Sequence, residues 1–98
     1  YQLGGHDIEI GEDGLARLKG TETIAGSTLF LNRGLKILVE DAMVPFDTAL
    51  NSCTINPARC LGVDDRKGRI AAGLDADLVR LADDYGVLQT WCRGAKML

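Results

Sequence analysis

The chain has 98 residues, 46% of them hydrophobic and 26% charged, which fits one small globular domain and excludes a disordered or collagen-like polypeptide. Eleven Lys and Arg stand against fourteen Asp and Glu, a net charge of −3 with no basic run, so neither a nucleic-acid backbone nor an anionic membrane is an expected partner. The longest apolar stretch, residues 35–39, is too short to cross a bilayer, and no charged-then-apolar leader is present, so the expected location is cytoplasmic.

In chain order, Asp7, Ile8, Glu9 and Ile10 alternate as a strand does, Glu12-Asp13-Gly14 reads as a turn, and residues 15–18 read as a second strand, giving a β-hairpin. Residues 21–26 form a loop of small and hydroxyl-bearing side chains. Ser27 or Thr28 then caps a helix running to about Asp41, in which Leu31, Leu35, Leu38 and Val39 recur at three- and four-residue steps. Gly34 inside this helix costs about 1 kcal/mol relative to Ala and points to close packing or a nearby ligand. A second helix opens with Pro45 and carries Phe46, Ala49, Leu50 and Cys53. A third, single-turn helix over 57–61 is expected to be capped by Asn56 and stopped by Gly62. Residues 77–81 and 87–93 read as two strands joined by the turn Asp83-Asp84-Tyr85-Gly86, the second with one drier face and one that is wetter or covered by another layer.

The residues assemble no recognisable catalytic centre by themselves. A catalytic metal site needs three or four convergent ligands, and the chain has a single histidine, His6, in a glycine-rich turn. Cys53, Cys60 and Cys92 are an odd number with spacings that suit neither a disulfide framework nor a zinc site, so reduced and mostly buried thiols are expected. Asp75 and Asp77 could form a carboxylate dyad, but without a nearby base a turn and strand-capping role is favoured. The run Asp64-Asp65-Arg66-Lys67 reads as solvated surface. Ser27, Thr28 and Ser52 lack a histidine partner for nucleophilic catalysis. The segment Thr23-Ile24-Ala25-Gly26-Ser27-Thr28 is the one candidate for ligand contact, because it is small and leads into a helix N-terminus, where free N–H groups favour polar oxygens.

Two stretches carry a resemblance. Asn56-Pro57-Ala58-Arg59, Leu61-Gly62 and the tail from Gly68 through Gly73-Leu74-Asp75-Ala76-Asp77-Leu78-Val79 resemble the C-terminal signature of the amidohydrolase superfamily. The order Asp13-Gly14, Leu18-Lys19-Gly20, Thr23-Ile24-Ala25-Gly26-Ser27-Thr28-Leu29, followed by a helix with Asn32 and Val39, is similar to the N-acetylglucosamine-6-phosphate deacetylase family, from about Tyr1 to Lys96. The chain opens at Tyr1 without an initiator Met, and the resemblance covers only the last quarter or so of such an enzyme, so a fragment of a longer polypeptide is expected.

The resemblance implies an α+β fragment: a β-hairpin with a substrate-facing loop (1–26), the last helices of a metal-dependent (β/α)8 barrel (27–62), and strands returning to an accompanying small β-sandwich (63–98). It implies hydrolysis of N-acetylglucosamine 6-phosphate to glucosamine 6-phosphate and acetate. In that reaction a metal-bound hydroxide attacks the acetamide carbonyl, the bound water's pKa having been lowered to about 7. The family's metal ligands and catalytic aspartate lie upstream of the hairpin, so no catalytic residue and no metal ligand is expected here; the divalent metal would belong to the parent enzyme. Ile24, Ala25 and Gly26 would line the sugar-phosphate pocket, since small residues let a ligand approach the main chain. The implied partners are the remainder of the parent enzyme, an amino-sugar phosphate and a second copy in a homo-oligomer. An amidohydrolase of different substrate, or a free-standing non-catalytic interaction module, are the competing readings.

Overall fold

A computed structural model describes all 98 residues as two compact units, residues 1–30 and 31–98. The first unit is an antiparallel meander of β1 (Gln2–Leu3), β2 (His6–Ile10), β3 (Ala16–Leu18) and β4 (Ile24–Gly26), in that spatial order. The expected hairpin is its centre, with Ile8 opposite Leu18 and Ile10 opposite Ala16. Its turn is closed by Asp13: the carboxylate accepts the Leu15 N–H at 3.0 Å and a two-pronged contact from the Arg17 guanidinium at 3.0 and 2.7 Å. That guanidinium, with the Leu15 N–H, holds the Asp13 carboxyl down at about 2.

Two strands of this unit, β1 and β4, go beyond the sequence reading. The segment expected as a loop over 21–26 contains β4, which pairs with β3 through Ala16 opposite Gly26 and Arg17 opposite Ile24, with a bulge between Ala16 and Arg17. Ile24-Ala25-Gly26 shows no alternation, and its extended form comes from β3 rather than from local propensity. The helix expected from Ser27 or Thr28 starts only at Leu31, because both hydroxyls are engaged elsewhere. Thr28 donates to the Gly14 carbonyl at 2.6 Å, and Ser27 accepts the Leu29 N–H at 3.0 Å.

The second unit has α1 (Leu31–Glu40), α2 (Phe46–Cys53) and α3 (Ile55–Leu61), followed by the antiparallel sheet β5 (Leu78–Leu81), β6 (Val87–Cys92) and β7 (Ala95–Lys96). Pro45 stands just outside α2, its carbonyl accepting the Ala49 N–H at 2.9 Å. Thr54, not Asn56, separates α2 from α3: its hydroxyl donates to the Leu50 carbonyl at 2.8 Å, and its carbonyl accepts the Ala58 N–H at 3.2 Å. Asn56 is therefore inside the helix. Pro57 is its third residue, where the missing N–H has no intrahelical partner to lose. Gly62 ends α3 at φ 71°, the left-handed conformation that a side chain penalises.

A loop then returns across α3. Gly68 adopts φ +102°, and a Cβ built there would lie 2.8 Å from the Ala58 Cβ and 3.0 Å from the Ile55 Cα, so the backbone touches the helix where only glycine fits. In the sheet, Leu78 faces Trp91 and Arg80 faces Gln89, with a bulge between Arg80 and Leu81. The expected drier and wetter faces of the second strand do not separate. Gln89, Thr90 and Trp91 are all half-buried while Val87, Leu88 and Cys92 are exposed, because unit 2 covers neither face of the sheet fully.

The buried apolar residues are few: Ala16 in the first unit, and Leu35, Ala49, Ile55 and Ala58 in the second. Large apolar side chains stand in the open, among them Phe30 at 78%, Met43 at 80%, Leu61 at 78% and Ile70 at 88% exposure. Soluble monomers rarely leave contiguous apolar surface of more than a few hundred Å² uncovered. The three thiols are free, as expected, but not mostly buried: Cys53 is half-buried, and Cys60 and Cys92 are exposed.

Candidate functional site

The ligand-contact candidates Ile24, Ala25 and Gly26 lie together on β4, at the edge of the first sheet. Ile24 is exposed, Ala25 half-buried, and Gly26 exposed, with nothing within 4 Å of where a Cβ would stand. Ala25 and Gly26 open onto a predominantly apolar groove of about 490 Å³ bordered by Leu3, Ile8, Ile10 and Phe30. The chemistry available there is shape and main-chain polarity: an edge strand with a side-chain-free position beside apolar walls can seat the body of a small ligand, but it supplies no acid, base or nucleophile.

The remaining candidates resolve into structural roles. Asp75 and Asp77 do converge, on Lys67. Its ammonium sits 2.9 Å from Asp75 Oδ2 and also pairs with Asp77 Oδ2, while Arg66 reaches Asp75 at 3.4 Å. Asp77 further accepts the Arg93 N–H at 2.9 Å, and the Asp75 N–H donates to the Arg66 carbonyl at 2.9 Å. The hydrogen bond from Lys67 is the main cause that lowers both carboxyl pKa values, and the bond to Asp77 first, then Asp75, raises that of Lys67. Carboxylates held ionised this way fasten the 66–77 loop to the end of β6. The strand-capping reading of the two aspartates stands; Arg66 is exposed as expected, and the reading of Lys67 as mere solvated surface is corrected. Nothing in the local pattern marks Lys67 as a partner for residues eight and ten positions on.

His6 begins β2, exposed and opposite Leu3. No group of three His, Cys, Asp or Glu side chains is placed to hold a metal ion, so the residues present do not fit the divalent metal that the resemblance implies. Ser52 donates to the Ala49 carbonyl at 2.6 Å, a helix-internal bond with no base beside it.

A cleft of mixed polarity and about 400 Å³ between α1 and the β5–β6 turn goes beyond the sequence reading. There Asn32 Nδ2 donates at 3.0 Å to the carbonyl of Tyr85, whose φ is 69°. Arg33 and Lys36 share the cleft with Glu40, Asp41 and Asp84, so it has no dominant charge.

The N-acetylglucosamine-6-phosphate deacetylase of Bacillus subtilis is 36% identical over 94 residues, covering 96% of this chain and 23% of that enzyme. The crystal structure of the Pasteurella multocida deacetylase matches with a TM-score of 0.89 at 27% identity, over 99% of this chain and 25% of that one. A Mycobacterium smegmatis deacetylase variant in complex with N-acetyl-D-glucosamine-6-phosphate matches with a TM-score of 0.81 at 38% identity, over 98% and 26% respectively. The chain thus spans about a quarter of the length of these relatives. The sequence profile of the amidohydrolase family aligns with residues 5–97, nearly the whole chain, and the chain belongs to that family.

Proposed function

We propose that the chain is the C-terminal part of an enzyme that hydrolyses N-acetylglucosamine 6-phosphate to glucosamine 6-phosphate and acetate. The observation that carries this reading is the similarity along nearly its whole length to deacetylases of that name, including one held in complex with the sugar phosphate. In this reading residues 1–26 supply a hairpin and the substrate-facing edge, 27–62 the last helices of a (β/α)8 barrel, and 63–98 the strands returning to a small β-sandwich. Ile24, Ala25 and Gly26 line the sugar-phosphate pocket. The open space at Gly26 supports this, because a sugar ring can then lie in van der Waals contact with the main chain.

The hydrolytic centre and its divalent metal are supplied by residues outside these 98. The contribution of this chain is substrate fit and closure of the fold. The parent enzyme is read as a cytoplasmic homo-oligomer, testable by cell fractionation and by sedimentation of the purified protein.

The test is direct: incubate the purified parent polypeptide with N-acetylglucosamine 6-phosphate and follow acetate and the new primary amine together. Stoichiometric release of both is expected. No release, accompanied by hydrolysis of a cyclic amide or another amidohydrolase substrate, overturns the assignment while keeping the family.

A further inference from the structure

We draw no further inference here: the strongest candidate, the apolar groove over the first sheet bordered by Leu3, Ile8, Ile10 and Phe30, belongs to the candidate site already described, and nothing in the structure shows another occupant.

Discussion

Replacing Gly68 with alanine is expected to destabilise the parent enzyme without touching the proposed pocket. The new Cβ would stand 2.8 Å from the Ala58 Cβ and 3.1 Å from the Ile55 Cδ1, where carbon atoms ordinarily rest at about 3.5–4.0 Å. Ala58 and Ile55 are 6% and 8% exposed, so neither can swing into solvent to make room. Overpacking of this kind costs about 1–3 kcal/mol. The left-handed backbone at φ +102° adds about 1–2 kcal/mol for any residue with a Cβ. The total is about 2–5 kcal/mol, and at roughly 2 °C per kcal/mol for a large domain the melting temperature should fall by about 4–10 °C. Calorimetry of wild type beside Gly68→Ala and Gly26→Ala isolates the effect, since the added methyl meets nothing at Gly26. Adding Ala58→Gly to Gly68→Ala removes the closest clash, so the double variant should cost less than the two single losses summed. A Gly68→Ala protein that melts with wild type would refute the contact between this loop and α3.

The isolated 98-residue polypeptide should show no deacetylase activity and no stoichiometric metal by elemental analysis; a full equivalent of bound metal with turnover would contradict the placement of the catalytic centre elsewhere. With its few buried residues and open apolar faces, the same polypeptide should associate as it folds, so its melting temperature should rise with concentration in a dilution series. A sharp, concentration-independent melt of a monomer would favour the free-standing module. The Lys67 cluster sets a pH dependence. The carboxyl pKa values of Asp75 and Asp77 lie below 3.8 in the fold, so their stabilisation is present above 3.8 and lost as pH falls through the lowered values. Lys67 lies above 10.5, so its share is present below 10.5 and lost as pH rises through the raised value. The stability gap between wild type and Lys67→Met, followed by chemical denaturation, should be widest between about pH 5 and 9 and should close at both extremes. A gap independent of pH would assign Lys67 to packing alone.

The elements legible in the sequence are those with strong local signals. The hairpin announced itself through the alternation of residues 7–10 and the Asp13-Gly14 turn, α3 through its stop at Gly62, and the β5–β6 pair through two apolar runs around Asp83–Gly86. What escaped depends on distant partners. β4 is extended because β3 lies beside it, β7 is two residues paired to the end of β6, and Thr28 fails to cap a helix because it reaches the Gly14 carbonyl fourteen residues back. Helix starts slipped for a related reason: Asn56-Pro57 has the right residue types, but the chain had already turned at Thr54. The candidate site was legible only as small residues at 24–26. The unfilled space beside Gly26 and the apolar walls around it come from strands far apart in the chain.

The most direct measurement is the kcat/KM of the parent enzyme on N-acetylglucosamine 6-phosphate before and after Gly26→Val, with the melting temperature taken on the same samples. No neighbouring atom lies within 4 Å of the added Cβ, and β-branched residues suit a strand, so the fold should be retained. The two further methyl groups would hold the sugar off the main chain, and because a misplacement on the order of 1 Å can cost about a hundredfold in rate, kcat/KM should drop tenfold or more at nearly constant melting temperature. An unchanged kcat/KM would contradict the assignment of β4 to the substrate pocket.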